Sequence, residues 1–256
     1  MEMTDIVCVK KLRIGEGIPK ICVPIVGDTW KKIFDEADKI AETSPDLAEW
    51  RCDFFQEIDC PERVREVLNG VEMRLKGIPL LFTFRSREEG GERTMEPDSY
   101  RKLNLMAAET KKVDLVDVEC CKDPEMSKRL IRELHGLGVK VVGSSHNFQE
   151  TPEKDEIIRR LMQMDAVGAD IVKLAAMPKD EGDLLKILCA TNEVKGKTKK
   201  PVVTMSMGQK GALSRICGAV FGSAITFGSM GQASAPGQIP VEELRGLLAN
   251  IHQYCR

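Results

Sequence analysis

Eight short apolar, β-rich runs recur along the 256-residue chain, each followed by a segment with charged and apolar residues at helical spacing. The runs are residues 21–26, 47–51, 79–85, 114–119, 139–146, 170–174, 201–207 and 223–228. The helical segments are 28–43, 61–75, 98–111, 124–137, 152–167, 180–194, 212–220 and 241–252. Strands that alternate with helices imply parallel strands joined by crossover helices. Eight such units predict an α/β fold closed into a (β/α)8 TIM barrel, which typically takes ~250 residues. An open doubly wound sheet would carry G-x-G-x-x-G in its first unit, and none is present. Helix starts are signalled by Asp123-Pro124, by Thr151-Pro152 followed by Glu153, and by Asp98-Ser99. No Pro/Gly/Ser-rich linker divides the chain, so residues 1–256 read as one domain. Residues 6–9 and 12–14, around a turn, predict a small hairpin placed to plug the barrel bottom.

Barrel active sites lie at the C-terminal ends of the strands. Here those ends carry Glu49, Arg51, Arg85, Asp117, Glu119, Ser145, His146, Lys173, Ser206 and Met207, whereas polar residues at the strand starts are fewer and read as surface caps. Bulk composition narrows the function. A net charge of -2, from 38 basic and 40 acidic residues, argues against a nucleic-acid or membrane-surface binder. The cluster Lys195, Lys197, Lys199 and Lys200 reads as a solvated helix end. Nine cysteines without a C-x-x-C or zinc-type spacing read as reduced thiols, with Cys22, Cys189 and Cys217 as small core residues. The first residues lack a signal-peptide h-region and no apolar run approaches a membrane span, so a cytoplasmic protein is expected.

Lys173 is the one amine in the apolar run Ala169-Asp170-Ile171-Val172-Lys173-Leu174-Ala175. Buried ammonium groups need a reason, and a desolvated amine is a nucleophile. The bland reading is a lysine whose stem is buried and whose amine snorkels to the barrel mouth. His146 ends the preceding run, and adjacent strands ~5 Å apart let the two side chains meet over one substrate. Together they point to Schiff-base chemistry with a proton shuttle. Attack on a ketone requires a neutral amine, and burial or a neighbouring Arg51, Arg85 or Arg215 is the expected means. His135, at a helix end, and His252, near the chain end, read as structural or surface residues.

The run from Arg85 to Arg93 contains Glu88-Glu89-Gly90-Gly91. One of its carboxylates, folded against His146, would fix the imidazole tautomer; the residues alone leave Glu88 and Glu89 both open. Alternation puts Glu49 and Arg51 on one face of their strand and Trp50 on the other. Arg51 and Arg85, pointing inward, would bind an anionic or hydroxylated substrate, with an internal Glu–Arg pair alongside. The loop 227–238, rich in small residues and ending in Ala235-Pro236-Gly237-Gln238, suits a lid or a phosphate cradle.

With these residues in view, the chain resembles the type I 3-dehydroquinate dehydratases of the shikimate pathway. The resemblance is carried by Glu49-Trp50-Arg51, Phe82-Thr83-Phe84-Arg85 through Glu89-Gly90-Gly91, Ser144 to His146, Lys173, Thr204-Met205-Ser206-Met207, Ser214-Arg215 and Ala233-Ser234-Ala235-Pro236-Gly237-Gln238. It implies an eight-stranded barrel, a homodimer, and a hydro-lyase that needs no metal and no cofactor. It further implies Lys173 as the Schiff-base lysine, His146 as acid/base and Glu89 as its carboxylate partner. Substrate contacts carry over to Glu49, Arg51, Arg85, Met207, Arg215, Ser234 and Gln238, with Arg215 on the substrate carboxylate and Ser234 and Gln238 on the lid. Departures from the family pattern are Asn147, where relatives often have Asp, Gly208-Gln209-Lys210-Gly211, and Pro24. Rival readings are a class I aldolase or transaldolase, and a barrel that binds ligand without turning it over.

Overall fold

The computed structural model describes residues 4–230 and 236–255. A hairpin of β1 (Val7–Val9) and β2 (Leu12–Ile14) leads into β3 (Lys20–Ile25) and α1 (Trp30–Thr43). Then come β4 (Leu47–Arg51), α2 (Pro61–Arg74), β5 (Leu80–Thr83), α3 (Pro97–Glu109), β6 (Leu115–Glu119), α4 (Pro124–Gly136), β7 (Lys140–Asn147) and α5 (Lys154–Ala166). The chain continues with β8 (Ile171–Ala176), α6 (Glu181–Val194), β9 (Val202–Ser206), two single-turn helices α7 (Leu213–Ile216) and α8 (Gly218–Phe221), β10 (Ile225–Ser229), β11 (Ile239–Pro240) and α9 (Val241–Tyr254). β3 to β10 are the eight expected strands.

They pair in parallel in sequence order, with β10 beside β3. β9 and β10 close the ring through a parallel bridge, Val202 to Ser223, and an Ala224 N–H donating to the Val202 carbonyl at 2.7 Å. The TIM barrel is therefore the fold. Apolar residues alternate along each strand and divide into two cores. Cys22, Leu47, Leu81, Leu115, Val142, Ile171, Val203 and Ile225 fill the barrel interior together with Val7, Val9 and Ile14 of the hairpin. The hairpin plugs the bottom, as its pattern predicted. Their strand neighbours, among them Val23, Ala48, Trp50, Phe82, Val116 and Val172, pack outward on helix faces such as Ile33, Ala37 and Ile40 of α1.

The strand-start carboxylates are caps of a regular kind. Asp46, Asp114 and Asp170 each precede a strand and accept a backbone N–H from the strand before it: Ile21, Leu80 and Val141, at 2.8, 2.8 and 2.9 Å. Each satisfies a donor that the sheet leaves open at its bottom edge.

Four local expectations need correction. The predicted helix 212–220 is two turns broken at Cys217, because Gly211 abuts the Ser206 carbonyl (an added Cβ would lie 2.2 Å from it) and Ser223 N–H returns to the Gly218 carbonyl. Thr151 does not cap α5; its hydroxyl donates to the Met177 carbonyl at 3.0 Å, tying two rim loops together, and the helix starts after Glu153. α3 begins at Pro97, where proline's fixed φ suits the first turn, instead of at Asp98. Cys189 is exposed on α6, whereas Cys22 and Cys217 are buried as expected, and all nine thiols are free.

Candidate active site

The interior alternation that fills the bottom of the barrel with aliphatic side chains turns polar one layer up. Glu49, Thr83, Asp117, Ser144 and Lys173 occupy successive inward positions on β4 to β8, all buried. A further step toward the mouth come Arg51, Arg85, Glu119 and His146. Lys173 is thus not at a strand end: β8 runs on to Ala176, and Lys173 pairs with Ser144 while His146 pairs with Ala175. The amine forms the floor and the imidazole stands one layer above it. Ser144 faces inward in place of the Ser145 expected from the sequence, since residues two apart share a face.

One cavity gathers the site. Glu49, Arg51, Arg85, Glu89, His146, Lys173, Met207, Arg215 and Gln238 all line it, so nine of the sequence-predicted residues converge. Ser234 lies outside the described residues, as does part of the 227–238 loop. Phe148, Ala175, Met205 and Phe227 complete the wall and were missed: an apolar residue on an inward strand position looks like any core residue, and Phe148 lies in the loop just after β7.

The Lys173 amine is 4% exposed at residue level. Its ion partners are carboxylates: Glu49 at 3.6 Å and Asp117 at 3.7 Å, with the Phe227 ring centroid 4.4 Å away. This corrects the expectation that arginines press on it. Arg51 is held by Asp53, in a two-point pair at 2.8 and 2.8 Å. Glu49 pairs not with Arg51 but with the Thr83 hydroxyl, at 2.9 Å. Asp53 was overlooked although it stands two residues after Arg51.

Arg85 is the hub. Its guanidinium donates to Asp117 at 2.8 Å, to Glu119 at 3.0 Å, to the Ser144 hydroxyl at 3.0 Å and to Glu89 at 3.3 Å. Burial alone would lower its pKa, yet the carboxylates of Asp117, Glu119 and Glu89 win and raise it. Its Nη atoms hold the three carboxylates in place while the side chain lines the cavity.

Glu89 resolves the ambiguity that the residues left open. Glu88 is exposed and pairs with Lys122, whereas Glu89 turns in. Its Oε2 accepts from the His146 backbone N–H at 2.9 Å and lies 3.0 Å from Nδ1. That oxygen is an acceptor, so the network assigns the proton to Nδ1 and leaves the Nε2 lone pair available. Burial pushes the His146 imidazole well below its usual 6.5, and Arg85, Lys173 and Arg51 add to it. Burial pushes the Glu89 carboxyl up, with Arg85 opposing. We take the neutral imidazole beside an ionised Glu89 as the resting form, because Oε2 already accepts the His146 N–H and faces Arg85.

Gly90-Gly91 makes this placement possible. Gly90 has φ +86, and a Cβ there would strike the Phe148 ring; a Cβ on Gly91 would lie 1.9 Å from the Arg85 carbonyl. Gly91→Ala must therefore move the loop. The expected result is a folded protein in which His146 loses its fixed tautomer, with kcat down about 10²-fold or more. A crystal structure and steady-state kinetics of the variant check it.

Arg215 differs from every other cation here. It is 1% exposed, and among the described residues its donors reach only the Phe227 and Pro236 carbonyls, at 3.4 and 3.1 Å, and the Met205 sulfur. Its Nε is buried without a partner, and no carboxylate of the described residues pairs with it. Desolvation lowers its pKa to about 10. A buried cation without an anion is an electrostatic vacancy for one.

Of the departures, Asn147 accepts the Gln149 and Glu150 N–H groups at 2.9 and 3.1 Å, a turn cap outside the cavity. His135 bonds Asp170 at 2.7 Å at the barrel bottom, away from the site.

Comparison with known proteins agrees with this geometry. The family model described as type I 3-dehydroquinase matches residues 21–255. A Clostridium botulinum 3-dehydroquinate dehydratase is 49% identical over 252 residues, covering 98% of this chain and 99% of the relative. The structure of a type I 3-dehydroquinate dehydratase from Clostridium difficile, solved with covalent modified comenic acid, superposes with a TM-score of 0.95 at 45% identity, covering 98% and 99% of the two chains. That of the 3-dehydroquinate dehydratase from Geobacillus kaustophilus gives a TM-score of 0.96 at 38% identity, covering 100% of each chain.

Proposed function

The chain belongs to the type I 3-dehydroquinase family, and we propose that it converts 3-dehydroquinate to 3-dehydroshikimate, the shikimate-pathway dehydration, through an imine on Lys173. The observation that carries the Schiff-base reading is a buried amine on the floor of a cavity whose wall holds a neutral imidazole fixed by a carboxylate.

Lys173 gives a proton to His146 and its lone pair attacks the C3 carbonyl carbon. The attacking nitrogen passes a second proton to the carbinolamine oxygen, which takes another from His146 and leaves as water, and a protonated imine remains. That iminium withdraws electrons from C2, and neutral His146 takes a C2 proton to give an enamine. The enamine nitrogen pushes out the C1 hydroxyl, which leaves as water with the proton from His146. Water then hydrolyses the imine and returns the ammonium of Lys173. Glu89 holds the Nδ1–H throughout and stabilises the imidazolium. The substrate carboxylate lies on Arg215. Glu49, Arg51 and Gln238 face its hydroxyls, Met207 packs on its ring, and Ser234 with Gln238 closes over it.

Borohydride reduction in the presence of 3-dehydroquinate, followed by intact mass and peptide mapping, tests the reading. A stable adduct on Lys173 supports it. A folded, active protein that gives no adduct removes it.

Arg215→Met is expected to raise KM about 10²-fold or more while kcat changes far less, because one charged contact made equally in ground and transition states is lost. The same substitution removes an uncompensated buried charge, so the ligand-free protein should melt higher. Steady-state kinetics and thermal melts check both halves; an unchanged KM removes the carboxylate role.

The chain acts as a homodimer in the cytoplasm and residues 1–256 form one domain. No helix among the described residues is long and apolar enough to cross a membrane, and the nine free thiols suit a reducing compartment. Sedimentation at working concentration tests the dimer.

A further inference from the structure

Asp117 has no place in the sequence of steps above, yet it is a fully buried carboxylate beside the reacting amine. It is 0% exposed and lies beneath the substrate cavity without lining it. Its two oxygens are used unequally. Oδ1 accepts from Arg85 Nη2 at 2.8 Å and from the Ser144 hydroxyl at 2.6 Å. Oδ2 is buried with no hydrogen-bond partner, and it faces Lys173 Nζ at 3.7 Å. A buried carboxylate oxygen left open costs free energy unless something meets it. Substrate hydroxyls do not reach a group that the cavity does not expose.

We propose that Asp117 is the counter-ion of the Lys173 nitrogen during catalysis: its open Oδ2 receives the N–H of the protonated imine. The proposal rests on the Schiff-base reading. The condensation conserves charge, since the ammonium and the ketone give the iminium and water. The positive charge at Nζ therefore persists through imine formation, and only a protonated imine draws electrons from C2. An anion fixed from behind by Arg85 and Ser144 keeps that proton on nitrogen without entering the substrate space. Glu49 is the other carboxylate near Nζ, at 3.6 Å, but it accepts from Thr83 and lines the cavity, where a substrate hydroxyl can claim it. Among the described residues, Phe227 on β10, Cys22 on β3 and His146 on β7 also interact with the Lys173 charge, and Arg85 on β5 stands behind Asp117. Of these, none is a carboxylate.

Asp117→Asn removes the charge and keeps the shape. The expected result is kcat lower by about tenfold or more with KM within about threefold, and the alkaline limb of the kcat–pH profile moved to lower pH by about one unit or more. The direction follows because a less stabilised iminium loses its proton at lower pH. Glu49→Gln should do the reverse, raising KM and moving the limb less. A purely structural role for Asp117 would instead disturb Arg85 and raise KM with the limb in place, and that outcome overturns the proposal. So does a Glu49→Gln limb shift larger than that of Asp117→Asn. Circular dichroism checks folding. If Asp117→Asn does not fold, nitrogen NMR of wild-type enzyme labelled at lysine Nζ decides, with product bound as the imine. A one-bond N–H coupling that survives to about pH 9 supports a paired iminium, and its loss near neutrality overturns it. Wild-type enzyme that gives no borohydride adduct fails the Schiff-base reading itself, whereas an adduct with an unmoved limb in Asp117→Asn fails only this proposal.

Discussion

Lys173→Met leaves a barrel that folds but loses turnover by about 10⁵-fold or more, and borohydride with 3-dehydroquinate no longer adds mass to it. The size of the effect follows from removal of the covalent route as a whole. Methionine preserves most of the stem and removes the ammonium that sits over the Phe227 ring. It leaves Glu49 and Asp117 without the cation between them, so the variant should also melt lower than wild type. Circular dichroism, a thermal melt and intact mass after reduction separate loss of chemistry from loss of fold. Retention of more than about 1% of wild-type turnover would rule out the lysine as nucleophile.

His146→Ala should reduce kcat by about 10²–10⁴-fold, the range for a positioned acid/base. Its signature is different from that of the lysine variant: the adduct on Lys173 still forms and accumulates, because slow proton transfer strands the imine. Near-normal turnover would remove the shuttle. The wild-type pH profile carries the same assignment. Burial and the surrounding cations push the imidazole well below 6.5. The working base is the neutral form, so it survives as pH falls past 6.5 and the acid limb of kcat/KM belongs below that value. Losing Glu89, as in Glu89→Gln, weakens the preference for Nδ1–H and should lower kcat more than it raises KM; equal kcat in the two proteins would count against its orienting role.

The barrel was legible because its two periodicities are both local. Inward positions two apart and helix faces three and four apart are written directly in runs such as Leu47-Ala48-Glu49-Trp50-Arg51. The same alternation put Glu49 and Arg51 on one face, and Lys173 stood out as the one amine in an apolar run. The resemblance then added Glu89 over Glu88, and the fold gives that choice a physical form: one carboxylate pairs with Lys122 at the surface and the other with His146 inside. Where the sequence misled, the competing interaction came from another element. Thr151 looked like a cap but bonds the Met177 carbonyl across two loops, and the 212–220 helix breaks at Cys217 between two single turns, the second closed by Ser223 N–H on the Gly218 carbonyl.

Partnerships inside the site were not legible for the same reason. Arg51 pairs with Asp53 and Arg85 with Asp117, Glu119 and Glu89, choices among many acids that depend on which side chains share a layer of the closed ring. By itself the sequence determined the order of the strands and most of the polar groups available to one cavity. Only the tertiary structure decided which cation stays unpaired and which carboxylate oxygen stays open. Those depend on distances of a few ångströms between residues far apart in the chain, and at low dielectric such distances decide which charges are satisfied within the protein and which await a ligand.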